Sequence, residues 1–271
     1  MKAPITVIVP VRNGAAYIGK ALESVLSQTF ADFELVVSDN GSTDGTREVV
    51  AKYLGDARVR LVRQAQDYDM IGHFNKCLDM LDSEYHMLLC HDDYLYAPTA
   101  LAKAHAALEG HPEVHAAYCD LAYVDERDAL IRVRKFGRHG IVDSDEVARA
   151  AVVKTRNLFG IPLLVRTRAL AGARYDRALP YAADLDLSIA ISRHGAFFHL
   201  GEPLIANRYH GGNATLGLFG RARDQMKAIA AKHDIALTGL EDLRMVLNSW
   251  TTALQKWAFL QYVGKMRSAA K

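Results

Sequence analysis

Asp92 and Asp93 stand side by side just past a short, mostly apolar run, residues 85–90, that holds neither Gly nor Pro. Two like charges at the end of a buried strand repel each other and gain nothing from packing. A divalent cation placed between them and an anionic ligand would account for both. A solvated strand-to-loop turn that happens to carry Asp-Asp explains the same letters, and this stretch alone does not choose. Two other polar pairs follow apolar runs in the same way: Arg12-Asn13 after residues 5–11, and Asp39-Asn40 after residues 33–38. Further on, Asp184 and Asp186 precede the apolar residues Leu187, Ile189, Ala190 and Ile191. A carboxylate there suits a helix N-terminus, where the dipole favours negative charge and N-capping needs no chemistry to explain it. Acids at i and i+2 point to different faces of a helix, so at most one of the two can face a cleft.

Such residues need elements to hold them. Residues 5–11 are β-branched and almost wholly apolar, which suits a central parallel strand. Tyr17, Ile18, Ala21, Leu22, Val25 and Leu26 then recur at helical spacing. A second strand over 33–38 leads into a loop where Ser42 or Asp44 can cap a helix running to about Leu54. A third strand over 58–62 and a third helix over 70–81 complete the alternation, which predicts right-handed βαβ units and a mostly parallel sheet. Ligands of such sheets bind beyond the carboxyl ends of the strands, where all three polar pairs fall. Neither a G-x-G-x-x-G fingerprint nor a G-x-x-x-x-G-K-[ST] loop follows the first strand. An anionic ligand therefore needs another source of positive charge, which paired carboxylates can supply through a metal.

Composition sets outer limits. With 271 residues, half of them apolar and 24% charged, the chain can build a substantial soluble core. A formal charge of +2 leaves no nucleic-acid footprint. Cys77, Cys90 and Cys119 are widely spaced and odd in number, so they read as reduced thiols and not as a disulfide frame. No hydrophobic signal region precedes the first strand, and no segment approaches the roughly 20 apolar residues of a membrane span. The expectation is a cytoplasmic protein, with any membrane contact peripheral, on the inner face of the cell membrane.

Three runs together carry a family resemblance: Ile8-Val9-Pro10-Val11-Arg12-Asn13-Gly14, Ser24-Val25-Leu26-Ser27-Gln28-Thr29, and Val36-Val37-Ser38-Asp39-Asn40-Gly41-Ser42-Thr43-Asp44. With Phe74-Asn75-Lys76-Cys77-Leu78 ahead of Glu84-Tyr85, the chain resembles an inverting glycosyltransferase of family 2 with the GT-A fold. The resemblance implies an α/β fold with a Rossmann-like, mostly parallel sheet flanked by helices. It implies a nucleotide-diphospho-sugar donor, a Mn²⁺ or Mg²⁺ cofactor and a glycan or lipid-linked acceptor. It sets Pro10, Val11 and Arg12, with Asp39, against the base and ribose, and counts Asn13 and Asn40 among the donor-binding residues. Asp92 and Asp93 correspond to a D-x-D-like motif, with Asp92 on the donor and Asp93 on the metal. One departure is Cys90, where the family's fuller motif has an acid; a thiol is a poor ligand for Mg²⁺ or Mn²⁺, and packing at the strand end is the simpler role. His91, next to it, could donate to phosphate or simply occupy the turn.

The same resemblance extends into the second half. Asp184-Leu185-Asp186-Leu187 is similar to the family's E-D-x-D-L motif with Ala183 in place of the glutamate, which implies Asp184 as catalytic base and Asp186 as a structural residue. His210, in a segment similar to Y-R-x-H, is implied to reach the metal or diphosphate, with Arg208 in support. Asn157 lies in a segment similar to N-x-x-G-x-P, where capping the turn is its plain role. The expected organisation is a nucleotide-sugar half (1–115), an acceptor-side half of the same domain (116–219) and a C-terminal helical segment (220–271). Arg132, Arg134, Lys135 and Arg138 form a basic run that suits a solvated strand edge or an anionic, lipid-linked acceptor. Leu243, Val246, Leu247, Trp250, Leu254, Trp257 and Leu260 give an apolar helical stripe for packing or a homodimer, with an interfacial membrane helix as the competing reading. Assembly of cell-surface polysaccharide or lipopolysaccharide from a UDP-sugar is the expected setting. The rivals are a sugar nucleotidylyltransferase, whose glycine-rich basic loop is missing after the first strand, and a glycosyltransferase-like module without catalysis.

Overall fold

A computed structural model describes residues 3–193, 195–210 and 222–248. The first half alternates as its apolar periodicity predicts: β1 (Ile5–Val11), α1 (Ile18–Leu26), β2 (Phe33–Asp39), α2 (Thr46–Ala51), β3 (Val59–Arg63), α3 (Met70–Asp79) and β4 (Tyr85–Leu88). Then come β5 (Tyr94–Leu95), α4 (Ala100–Glu109), β6 (Val114–Val124), β7 (Leu130–Arg134), β8 (Gly140–Val142) and α5 (Ser144–Val153). The second half closes with β9 (Pro162–Arg166), α6 (Ala183–Ser192), β10 (Ala196–Arg208) and α7 (Ala222–Lys232). Helical backbone resumes over 239–248.

One sheet joins these strands in the order β3-β2-β1-β4-β9-β6-β10-β5, with β7 on β6 and β8 on β10. β1, β2, β3 and β4 are mutually parallel, as are β6 and β10. β9 runs antiparallel to both β4 and β6. Two reversals cancel, so β6 and β10 point the same way as β1 and β4, and their carboxyl ends share one edge. The start of β9 lies at that edge too, which brings the loop before it to the same place.

Both faces of the sheet are covered, and the side chains sort by period two. Ile5, Val7, Val9 and Val11 of β1 pack into one core with Ile18, Leu22 and Val25 of α1 and Leu101 and Leu108 of α4. Ile8 points the other way, against Val36 and Cys77. On that second face Tyr118, Phe159 and Phe197 join residues of α5, α6 and α7. Burial on both faces explains why these strands read as unbroken apolar runs.

Two features depart from the sequence reading. α4 has no counterpart there. β10 extends to thirteen residues, far beyond the short strand expected over 203–206. The basic run occupies the edge strand β7 and the turn beyond it, where Arg134 Nη2 donates to Asn157 O at 2.7 Å and Arg138 Nη1 to Leu158 O at 2.7 Å. In the C-terminal segment Met226 and Ile229 are buried and Met245 is fully covered, while Leu243 and Leu247 of the expected stripe are exposed. Trp250, Leu254, Trp257 and Leu260 lie outside the described residues.

Candidate active site

The ends of β1 and β2 build one side of the shared edge. Asp39, fully inside, accepts from Ser42 N at 2.9 Å and from Arg47 Nε at 2.6 Å. Burial alone would raise its pKa, but these hydrogen bonds and the guanidinium charge outweigh it and hold the carboxyl below its ordinary range. Asn40 spends its amide on Tyr68, donating to its carbonyl at 2.8 Å and accepting from its N–H at 3.0 Å. Pro10 and Val11 are buried strand residues, and Val11 O accepts from Asn40 N at 2.9 Å. Arg12 reaches outward to Asp67 at 2.9 Å. Asn13 adopts φ 53°, a left-handed conformation that Asn tolerates, and its Oδ1 accepts from Thr43 N. Gly14 has a steric reason: a Cβ there would lie 2.3 Å from His91 Cδ2 and 2.7 Å from Val11 Cγ2. The turn after β1 is therefore seated directly on the ring of the turn after β4.

The turn after β4 meets the end of β10. His210 Nε2 lies 2.8 Å from Asp92 Oδ2, and both side chains are largely covered. Asp93 turns inward instead. Its Oδ1 accepts from Arg208 N at 2.9 Å and its two oxygens from Asn207 Nδ2 at 3.1 and 3.0 Å. Burial, then the neighbouring Asp92, push the Asp93 carboxyl well up from its usual range, against the pull of those donors. Arg208 is itself buried: Nε donates to Asp92 O at 2.9 Å and Nη2 pairs with Asp128 at 2.6 Å. Its guanidinium stacks 4.8 Å from the Tyr17 ring centroid.

These contacts test the fit of a divalent cation. Ligands at about 2.1 Å in octahedral geometry stand about 3 Å apart when adjacent, close to the Asp92–His210 separation. Oxygen and imidazole nitrogen suit Mn²⁺, and Asp92 with His210 fits such an ion. Asp93 spends its oxygens on Arg208 N and Asn207 Nδ2 while still lying in one cluster with Cys90 and Asp92, and Asp92 is the carboxylate beside His210. Cys90 Sγ lies within 4.8 Å of oxygens of Asp92 and Asp93. Burial first, then the charges of Asp92, Asp93 and Asp184, push the Cys90 thiol well above its ordinary pKa. Thiolate is a soft donor poorly matched to Mg²⁺ or Mn²⁺, which leaves packing at the strand end as the simpler role of Cys90.

Asp184 comes from the other flank. α6 ends shortly before β10 begins at the far edge, so its first turn runs back to the near one. Ala183 and Asp186 are buried there while Asp184 is exposed. Asp186 Oδ1 lies 2.8 Å from His233 Nε2, and Oδ2 accepts from Lys232 Nζ at 2.8 Å, tying α6 to α7. Asp184 Oδ2 accepts from Asn157 Nδ2 at 2.9 Å, and Oδ1 from Leu185 N at 2.8 Å. Asn157 lies in the loop that enters β9 at the shared edge, so this hydrogen bond brings Asp184 to that edge.

A profile described as Glycosyl transferase family 2 matches residues 6–173, which span β1 to β9. This chain belongs to glycosyltransferase family 2. It is 31% identical over 181 residues to a PGL/p-HBAD biosynthesis glycosyltransferase of Mycobacterium bovis, covering 63% of this chain and 68% of the relative. An uncharacterized glycosyltransferase of Rickettsia prowazekii is 24% identical over 213 residues, 78% of this chain and 65% of the relative. Among solved structures, S. aureus TarS 1-349 in complex with UDP-GlcNAc superposes with a TM-score of 0.70 at 21% identity, over 90% of this chain and 69% of that one. The mannosyltransferase PcManGT of Pyrobaculum calidifontis, in complex with GDP-Man and Mn²⁺, gives 0.58 at 17%, over 97% and 85%. At these identities the likeness is one of fold: the family 2 enzyme has the GT-A architecture, a nucleotide-sugar glycosyltransferase scaffold.

The sequence reading of this family 2 glycosyltransferase gives Asn157 and Asn207 no part beyond a turn and a loop. Neither carries a local signal, since each acts on a carboxylate far away in sequence. The N-x-x-G-x-P likeness is the one hint for Asn157. Among the described residues no helix is long and apolar enough to cross a membrane.

Proposed function

We propose that this glycosyltransferase is a metal-dependent inverting enzyme that moves a sugar from a nucleoside diphosphate donor, UDP-linked in the first instance, to a hydroxyl of a glycan or lipid-linked acceptor. The observation that carries this is the meeting, at one sheet edge, of the Asp92–His210 pair with the exposed carboxylate of Asp184. Pro10, Val11, Arg12 and Asn13, with Asp39 and Asn40, line the donor's base and ribose from the ends of β1 and β2. A divalent cation held by Asp92 and His210 would offset charge on the departing diphosphate. Asp184 takes the proton of the acceptor hydroxyl while that oxygen bonds to the anomeric carbon and the bond to the diphosphate breaks on the opposite side. One displacement of this kind inverts the anomeric configuration. The complexes of TarS with UDP-GlcNAc and of PcManGT with GDP-Man and Mn²⁺ support both donor class and metal. We place the enzyme in cell-surface polysaccharide or lipopolysaccharide assembly, acting at the inner face of the membrane.

The test is thermal denaturation with UDP, GDP, dTDP and CMP compounds, with and without Mn²⁺, since a ligand that prefers the native state raises its Tm. The reading expects Mn²⁺-dependent stabilisation by one nucleoside diphosphate. It also expects that Asp184→Asn retains the shift but loses turnover. No stabilisation by any of them would refute it.

A further inference from the structure

We propose that Asn157 is the positioning residue for Asp184, fixing the direction in which its carboxylate presents itself to the acceptor; this rests on the function proposed above. α6 gives Asp184 little help: the N-cap Ala182 makes no side-chain cap, and the carboxylate's own-helix contact is the N–H of Leu185. The second contact comes from Asn157 Nδ2, across 27 residues of sequence.

The Asn157 amide cannot turn round. Its Oδ1 accepts from Phe159 N at 2.8 Å and Gly160 N at 3.1 Å, while Nδ2 also donates to Gly160 O at 3.1 Å. A flipped amide would set its NH₂ against two N–H donors and its oxygen against a carboxylate, so the network dictates which end faces Asp184. The loop is fixed from behind. Arg134 donates to Asn157 O and Arg138 to Leu158 O, both from the β7–β8 side. Gly160 sits at φ 99°, where a Cβ would also press on Phe136 Cζ at 3.2 Å. Because β9 is reversed in the sheet, this rigid loop arrives at the edge where the strands end. Asn157 is thus the side chain that aims the carboxylate.

Asn157→Asp separates this role from holding the loop. It keeps an acceptor for Phe159 N and Gly160 N but turns an oxygen, instead of an NH₂, toward Asp184. Nucleoside diphosphate release from UDP- and GDP-linked sugars with Mn²⁺ is measured, with water as acceptor. Expected are an unchanged donor KM, a kcat lower by about 100-fold or more, and an acid limb of the kcat profile moved to higher pH. On an Asp184→Asn background the same change should cost nothing further, since a residue acting through Asp184 has nothing left to act on. This cycle decides even where Asn157→Asp lowers the Tm. An unchanged kcat and acid limb, or full additivity in the cycle, would overturn the proposal while leaving the function intact. A wild-type protein that turns over none of these donors would refute the function and the proposal together.

Discussion

His210 Nε2 stands 2.8 Å from Asp92 Oδ2, joining the end of β10 to the turn after β4 across 118 residues of sequence. If the pair holds the cation, Asp92→Asn and His210→Ala should each weaken Mn²⁺ binding by more than the about 10–100-fold that changes outside the ligand shell cost. Calorimetric titration of Mn²⁺ in the presence of UDP reads this. Wild-type affinity in both variants would remove the metal from this pair.

Asp93 should behave differently. Asp93→Ala leaves Asn207 Nδ2 and Arg208 N without their buried acceptor, at about 1–3 kcal/mol for each group stranded. For a domain of this size that is a fall in Tm of several degrees, about 2–4 °C per kcal/mol. An unchanged Tm together with lost Mn²⁺ binding would make Asp93 a metal ligand instead.

His73 predicts a pH dependence of stability. It is buried, with Nε2 2.8 Å from Ser38 Oγ, and burial pushes its pKa down to about 4 against the opposing charge of Asp39. Between the unfolded value near 6.5 and about 4 the unfolded chain binds the extra proton, so stability is full above that window and falls as the pH drops through it. The His73 share between pH 7 and pH 5 is about 2 kcal/mol. His86, also buried and pushed down to about 3, titrates in the same window, so the comparison must be of His73→Gln with wild type. Urea unfolding at the two pH values should show a smaller acid loss in the variant; equal losses would mean that His73 is not held neutral.

Gly14→Ala should disturb both turns at once, because the added methyl would meet the rings and methyls of His91 and Val11. Overpacking of this kind costs about 1–3 kcal/mol. The nucleotide-induced shift in Tm should shrink as well; loss of stability with undiminished nucleotide binding would separate Gly14 from the donor site.

β1, β2 and β4 are legible in the sequence because burial on both faces demands branched apolar runs, and their polar ends stand out against them. α4 is not, because Ala100, Ala104 and Ala107 blur the contrast between its faces. The i, i+2 spacing of Asp184 and Asp186 foretells that they part, one exposed and one buried. Which of Asp92 and Asp93 turns inward is hidden, since it depends on where Asn207 and Arg208 arrive more than a hundred residues later. The direction of β9 is hidden for the same reason: strand pairing is decided by partners, and Leu163, Leu164 and Val165 look alike read either way.

The sheet continues without a break from β3 to β5, and β9 is laddered to β4 on one side and β6 on the other. The two halves of the sheet therefore belong to a single rigid plate. Swinging one half against the other would rupture main-chain hydrogen bonds in the middle of the core, where local opening is most costly. Whatever gating a catalytic cycle requires must be carried by the segments that overhang the plate's edge, those that bear Asp92, Asp184 and His210 among them.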